Sequence, residues 1–310
     1  YYDYDGENDL QEYVTNGAGL KVSNAYGHGA PNCQTAVELA LNWKDNKKTI
    51  GNSQTEFKED FFTENKDMII TTSTINFDIS SNYYKQLQQE YVNVSNPIKS
   101  IYVSKNIILE HVELTLNLSH ESAHSVLIIL ESPYGTKSFI TRGVKNIILS
   151  YENSYGTNAS DSVINDLTAY KNEEYTFTST LYWNEESKGH WKLYVKDLNK
   201  NDNKNGIVHS ASINFYGTPK FESDKLIYNR GEDVILEYSG VLGVNNKIKF
   251  LDFDEDDEIA EDISIDNSGE ITINSSKILS NKCKLRIINT TTDKILNQII
   301  ITITGDIGTS

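Results

Sequence analysis

The stretch HVELTLNL, residues 111–118, decides the fold class of this 310-residue chain. Every second position in it carries an apolar side chain: Val112, Leu114, Leu116 and Leu118. A hydrophobic period of two is typical of a β-strand that buries one of its faces. Shortly after it, SVLIIL at 125–130 is almost wholly apolar, which predicts a central strand buried on both faces.

The residues around these two strands repeat the β pattern. HWKLYVKD alternates again and places Trp191, Leu193 and Val195 inward. Between the strands, ESPYGT at 131–136 has the Pro and the Gly of a turn. We therefore predict a β-sandwich or jelly roll of about eight strands over residues 98–218.

The flanking regions have weaker patterns. Residues 219–310 contain shorter β-like runs: DVILEYS, KIKFLDFD, EITIN, CKLRIIN and QIIITITG. They predict a second, small antiparallel sandwich of immunoglobulin-like size. Residues 49–97 are polar and irregular, so we expect a connector with short strands and a short helix near 84–90.

The first 48 residues differ from the rest because they predict a helix. A glycine-rich stretch leads to Asn32, a candidate N-cap. Apolar residues then follow at helical spacing: Ala36, Val37, Ala40, Leu41 and Trp43. Because one helix cannot bury a core by itself, we expect residues 1–48 to be the end of a larger domain.

Composition narrows the functional classes. The formal net charge of -16 disfavours nucleic acid as a partner, since an acidic chain repels phosphate backbones. No apolar run approaches the length of a membrane span. Cys33 and Cys283 are expected as free thiols, although one long-range bridge stays open.

Signals for cellular location conflict. The start YYDYDGEND lacks the features of a signal peptide, which leaves a cytosolic protein or a processed fragment open. Five Asn-X-Ser/Thr triplets are compatible with secretion: those at Asn93, Asn117, Asn158, Asn274 and Asn289. Such triplets also arise by chance in a chain rich in Asn and Ser.

Two blocks of sequence carry a family resemblance. The segments YVTNGAGLKVSNAYGHG and AVELALNW, within 13–43, resemble the C-terminal end of a subtilisin-type catalytic domain of the kexin and furin class. LEHVELTLNLSH, LIILESPYGT, WNEESKGHWKLYVKD and INFYGT resemble the P domain that follows it. Together they cover residues 10–218 in family order. Ser122-Ala123-His124-Ser125 stands where the family often has an Arg-Gly-Asp-like stretch, so a role tied to that stretch is not expected here.

The resemblance implies the non-catalytic C-terminal, or light, chain of a calcium-dependent serine endopeptidase of the secretory lumen or cell surface. Its Asp, His and Ser would lie on a separate catalytic chain, and its protein or peptide substrates would be cut after basic residues. We assign no catalytic residue to these 310 residues. The surface that meets the catalytic chain is expected at six positions: Tyr26, Gly27, Gly29, Val37, Leu41 and Trp43.

Calcium could also bind this chain itself. DLNKNDNKNG offers four oxygen-bearing candidates: Asp197, Asn199, Asn201 and Asp202. Their spacing resembles an EF-hand loop without its closing Glu, and a solvated turn is the alternative. Gly308-Thr309-Ser310 spells the subtilisin nucleophile motif but lacks the small-residue helix that should follow it.

A second function class stays open. The two β regions could form a secreted adhesion module that binds carbohydrate or protein, without protease activity. The chain could also be an expressed fragment with no partner. The Thr15-Asn16-Gly17 and Tyr26-Gly27 motifs favour the protease, whereas a ligand for residues 98–310 would favour the module.

Overall fold

The computed structural model describes residues 13–23, 27–43, 55–63, 68–72, 96–142, 170–198, 206–223, 225–240, 246–253, 258–260, 270–275, 278, 280–291 and 294–305. The chain divides into two compact units, which are described separately. The first takes the described residues of 1–30, 56–104 and 109–216. The second takes those of 31–55, 105–108 and 217–310.

The first unit is built on strands β1 to β11. They are β1 Val14–Thr15, β2 Lys21–Val22, β3 Thr55–Phe62, β4 Met68–Thr72, β5 Lys99–Val103, β6 Ile107–His120, β7 Val126–Glu131, β8 Lys137–Arg142, β9 Tyr170–Ser179, β10 Gly189–Asp197 and β11 Gly206–Pro219. β1 and β2 form a small antiparallel hairpin. The larger sheet has the order β8-β7-β10-β4-β11-β6-β9, with β3 beside β11 and β5 beside β10.

This sheet folds over so that its two halves share one core. β4 joins them, because it runs parallel to β10 and antiparallel to β11. Across the core, the ring of Trp191 on β10 meets that of Phe215 on β11 edge-on, with centroids 5.1 Å apart. This edge-to-face geometry is favourable for aromatic pairs and closes the β-sandwich.

The strand patterns of this unit are confirmed. All four alternating apolar residues of 111–118 are fully buried in β6, and the six residues of β7 are all buried. On β10, Trp191, Leu193 and Val195 point inward as predicted. Tyr194 between them is buried as well, which a strict alternation did not predict.

The second unit contains two further antiparallel-rich sheets. Its strands are β12 Phe221–Glu222, β13 Ile227–Asn229, β14 Asp233–Tyr238, β15 Asn246–Asp252, β16 Glu258–Ala260, β17 Glu270–Asn274, β18 Lys282–Asn289 and β19 Lys294–Thr304. One sheet has the order β12-β14-β17 and the other β13-β19-β18-β15-β16. Buried apolar residues that alternate with exposed residues on β14 and β17 contribute to the core of this unit.

The predicted helix is α1, Cys33–Trp43. Asn32 caps it, since its Oδ1 accepts a hydrogen bond from the Thr35 amide at 3.1 Å. The mainly β fold class is confirmed. Of a subtilisin-like α/β fragment, however, the described residues hold only this helix and the β1–β2 hairpin, so that part of the prediction is not evident. The helix predicted near 84–90 lies outside the described residues, and the division at 48, 97 and 218 stays a prediction.

Candidate functional site

The Asn16–Gly17 turn of the β1–β2 hairpin is docked on the large sheet of the first unit. The Asn16 side chain is 4% exposed and uses both of its polar atoms. Its Nδ2 donates to the carbonyls of Leu181 at 3.1 Å and Trp183 at 2.9 Å. Its Oδ1 accepts from the amides of Ala18 and Leu20, so it closes its own turn while it binds the neighbouring strand connection.

The next residue of the turn, Gly17, is hydrogen-bonded to the buried carboxylate of Glu185. The Gly17 amide donates to Oε1 of Glu185 at 2.7 Å and lies 3.1 Å from Oγ1 of Thr136. The Thr136 hydroxyl in turn donates to the same Glu185 oxygen. Glu185 is 1% exposed, so these bonds form away from water, where a hydrogen bond to a charged group is strong.

Gly17 is required at this position for steric reasons. A Cβ added to it would lie 2.3 Å from the Cβ of Tyr134, which is closer than any real contact. Tyr134 belongs to the ESPYGT turn, whose Gly135 has a φ of 83°. The Tyr134 turn and the Asn16–Gly17 turn therefore pack together only because Gly17 has no side chain.

Half-exposed aromatic rings border the docked turn. Trp183 is 47% exposed, and its ring lies 6.3 Å from that of His28 in an edge-on arrangement. Nε2 of His28 is 3.3 Å from the carbonyl oxygen of Thr180. Tyr13 and Tyr134 are also exposed to a large extent. These rings place apolar surface beside the hairpin.

The residues predicted to meet a catalytic chain are placed unevenly. Tyr26 and the side chain of Trp43 lie outside the described residues. Gly27 and Gly29 have φ values of 58° and 93°, in the left-handed region that glycine favours, and Gly27 pairs with Ser23.

The two helix positions of that prediction face solvent. On α1, Val37 is 58% and Leu41 71% exposed. Val37 and Leu41 belong to the second unit, whereas the Asn16–Gly17 turn belongs to the first. Their role at an interface stays a prediction.

Asp197, one of the predicted calcium ligands, ends strand β10 and is buried. Its Oδ2 lies 3.5 Å from Nε2 of His120, which is buried beside it. His120 accepts a hydrogen bond from the Ser122 amide at Nδ1, which leaves the proton on Nε2, facing the carboxylate. Asn199, Asn201 and Asp202 lie outside the described residues.

The described residues contain no serine-protease triad. Ser119 Oγ lies 3.1 Å from Nε2 of His209, whereas the buried Asp197 faces a different histidine, His120. A triad needs one histidine between the Ser and the Asp. Among the described residues, no group of three His, Cys, Asp or Glu side chains is arranged to hold a metal ion.

A second buried carboxylate, Glu131, sits at the end of β7 in a network of donors. Lys192 Nζ donates to one of its oxygens at 2.7 Å, and the Tyr194 hydroxyl donates to the other at 2.8 Å. Burial acts to raise the pKa of Glu131, but these bonds and the charge of Lys137 outweigh it and lower the pKa. Burial and the same contact raise the pKa of Tyr194.

Sequence reasoning missed Glu185 and the His120–Asp197 pair. The Asn-Gly dipeptide was a local turn signal. Glu185 gave no such signal, because it stands in the polar run WNEES and its hydrogen-bond partner Gly17 is 168 positions away. The two cysteines are free thiols, as expected, and burial chiefly raises the pKa of Cys283 to about 11.

Comparisons with known proteins find relatives of this chain. A family model described as the proprotein convertase P-domain matches residues 109–215. Furin-1 of Xenopus laevis is 25% identical over 222 residues, which are 70% of this chain and 23% of that protein. Human furin is 26% identical over 212 residues, which are 68% of this chain and 21% of furin.

Solved structures resemble the chain more distantly. The match to a serine protease of Aeromonas sobria covers 67% of this chain and 34% of that protease, with 18% identity and a TM-score of 0.43. In sequence, the chain spans less than a quarter of the length of the furins it matches. No helix among the described residues has the length and apolarity to cross a membrane.

Proposed function

Since this chain carries the P domain of the proprotein convertase family at residues 109–215, we propose that it is the non-catalytic C-terminal part of a furin-like serine endopeptidase. The catalytic Asp, His and Ser act on a separate chain. This chain completes and stabilises that catalytic domain. The observation that carries the proposal is the Asn16–Gly17 turn, which lies in the catalytic-domain-like segment and is docked on the P domain.

The contribution of this chain to catalysis is physical rather than chemical. Peptide hydrolysis by a serine protease needs a Ser, a His that takes its proton and an Asp that orients the His. Those groups must be held within a fraction of an ångström, so the packing around them matters. The exposed Val37 and Leu41 on α1 supply apolar surface that a catalytic domain would cover.

Three finer features belong to the same proposal. Substrates are proteins or peptides cleaved after basic residues. The protein works outside the cell or in the secretory lumen, which the five Asn-X-Ser/Thr triplets support. Calcium binds the complete enzyme, and the candidate ligands within this chain are Asp197, Asn199, Asn201 and Asp202. Asp197 fits only in part, since its carboxylate already faces His120.

The test is peptide cleavage by the protein purified from its natural source. We expect hydrolysis of a fluorogenic peptide with a Lys-Arg pair before the scissile bond, and little hydrolysis of a matched peptide with two Gln residues there. A serine-reactive inhibitor should abolish the activity, and a calcium chelator should reduce it. Absence of inhibitor-sensitive hydrolysis of either peptide would contradict the proposal.

A further inference from the structure

We propose that Glu185 is the positioning residue that couples the P domain to the catalytic domain, through the Asn16–Gly17 turn. This inference rests on the proposed function. It names the contact by which the end of the catalytic domain is held. The contact has two halves. In one, an asparagine side chain donates hydrogen bonds to backbone carbonyls. In the other, a carboxylate accepts a hydrogen bond from a backbone amide.

The first half is the side chain of Asn16. Its amide nitrogen donates both of its protons, to the carbonyls of Leu181 and Trp183, and its oxygen accepts two backbone amides of its own turn. An aspartate could not donate to the two carbonyls, and a serine could donate only one proton. The two carbonyls in the connection between β9 and β10 therefore require an asparagine at position 16.

The second half is the carboxylate of Glu185. Oε1 accepts the Gly17 amide and the Thr136 hydroxyl, whereas Oε2 is buried with no hydrogen-bond partner among the described residues. No cationic side chain of the described residues lies within ion-pair distance of it. A buried carboxylate is costly unless its contacts compensate for lost hydration. The Gly17 amide and the Thr136 hydroxyl donate the hydrogen bonds that compensate the Glu185 side chain among the described residues.

Glu185 is also tied rigidly to the core of the sandwich. Its carbonyl accepts the Leu109 amide at 2.8 Å, and the Leu109 carbonyl accepts the amide of Asn184 at 2.8 Å. Leu109 belongs to β6 and is buried. The Glu185 backbone is therefore fixed relative to the P-domain core, and its carboxylate holds the Gly17 backbone in place through the hydrogen bond.

Because of this arrangement, the hairpin can detach from the sandwich without global unfolding. Loss of the carboxylate should release the 13–23 hairpin while the strands of the sandwich stay folded, because the core residues of β6, β7 and β10 do not depend on it for burial. In the complete protease, the released hairpin would loosen the end of the catalytic domain.

The test is hydrogen exchange on the full 310-residue chain, with three variants. Glu185→Ala removes the acceptor, Glu185→Gln keeps one carbonyl oxygen, and Glu174→Ala changes an exposed glutamate on β9 as the matched control. We expect amide exchange in 13–23 to accelerate about 10- to 100-fold in Glu185→Ala, since a hydrogen bond to a charged group is lost. Exchange in β6 and β7 should stay unchanged, Glu185→Gln should restore most of the protection, and the control should match the parent.

Two results would overturn the proposal. One is unchanged exchange in 13–23 for Glu185→Ala. The other is equal acceleration in the hairpin and the core strands, which would make Glu185 a general stability residue. If Glu185→Ala does not fold, Thr136→Val replaces it: this nearly isosteric change removes only the hydroxyl that contacts Gly17 and Glu185. It must then release the hairpin alone.

A second readout separates this proposal from the proposed function. In the complete protease, Glu185→Ala should shorten the half-life of peptide hydrolysis at elevated temperature by several-fold, with Glu185→Gln closer to the parent. If the parent protein has no protease activity but the exchange results hold, the function fails and the hairpin contact stands. If the parent is active and the half-life does not change, the coupling role of Glu185 fails.

Discussion

Gly17 occupies a position where the fold has no room for a side chain. Its neighbour at the point of closest approach is the Cβ of Tyr134, so the obstacle is next to the backbone and not the end of a flexible side chain. A Gly17→Ala variant should lose about 1–3 kcal/mol of docking free energy for the hairpin. Hydrogen exchange of the Ala18 and Leu20 amides measures that loss.

The same geometry gives a control for this variant. Combining Gly17→Ala with Tyr134→Ala should not restore protection, because alanine keeps the clashing Cβ. Full restoration by the double variant would mean that the Tyr134 ring, and not its Cβ, sets the fit.

Glu131 predicts how stability depends on pH. Its pKa is lower in the folded chain than in the unfolded one, because the hydrogen bonds from Lys192 and Tyr194 outweigh its burial. The folded state therefore gains stability above the unfolded pKa of about 4.3 and loses it as pH falls through the lower folded pKa. Glu131→Gln should cost about 1–3 kcal/mol at neutral pH.

Denaturant unfolding between pH 3 and pH 7 tests this prediction. The Glu131→Gln variant should show a flatter pH dependence than the parent, and the two should converge at low pH. Glu174→Gln, at an exposed position, should follow the parent throughout. Parallel curves for parent and Glu131→Gln would show that Glu131 does not carry the acid sensitivity.

Strands were predictable from the sequence where one local pattern decides burial. β6 alternates strictly and β7 is apolar throughout, and both lie in the core as expected. On β10, Tyr194 is buried because its hydroxyl reaches Glu131 on the adjacent β7, a contact that no local pattern encodes. The pairing of β4 with both β10 and β11 is likewise set by tertiary packing.

The candidate site was predictable only in part for the same reason. The Thr15-Asn16-Gly17 motif was part of the family resemblance, and no docked turn was predicted there. Its receptor at Thr136 and Glu185 comes from two distant connections, so only the folded chain brings them together. The helix α1 and its Asn32 cap, by contrast, follow from local signals and were found.

Cross-sheet packing on β10 gives a prediction at the level of the strand. Trp191 contacts Tyr182 and Phe215 edge-on and donates its ring N–H to the Ser187 carbonyl at 2.7 Å. Trp191→Ala should lower the free energy of unfolding by about 3–5 kcal/mol. The half-exposed Trp183 provides the matched control, and Trp183→Ala should cost much less, as measured by denaturant unfolding. Equal losses in the two variants would contradict this assignment of the core.

Helix α1 has a different predicted role. Since Leu41 is 71% exposed, Leu41→Asp should change the stability of the isolated chain by less than about 0.5 kcal/mol. If a catalytic domain covers this face, the same variant should weaken association with that domain by at least about ten-fold, because a charge would be buried there. Gln34→Asp on the same helix serves as control, since the Gln34 side chain is exposed and donates a hydrogen bond to Glu38 one turn further along α1. Unchanged association would exclude this face from the interface.

At the scale of the whole molecule, each of the two units has its own β core, and the first unit also carries the docked hairpin. The net charge of -16 keeps such a chain soluble and gives it an attraction for cations and basic peptides. Such a field would also attract the basic substrates of the proposed function. Under the proposed function, the chemistry comes from a catalytic domain whose end is held by the Asn16–Gly17 turn.

One measurement tests this account most directly: labelling of the natively purified protein with a fluorophosphonate, followed by intact-mass analysis and N-terminal sequencing of every chain. We expect a second chain to co-purify, to take the label on a serine in a Gly-Thr-Ser motif and to stay bound to this one. Purification of this chain alone, folded and unlabelled, would contradict this account.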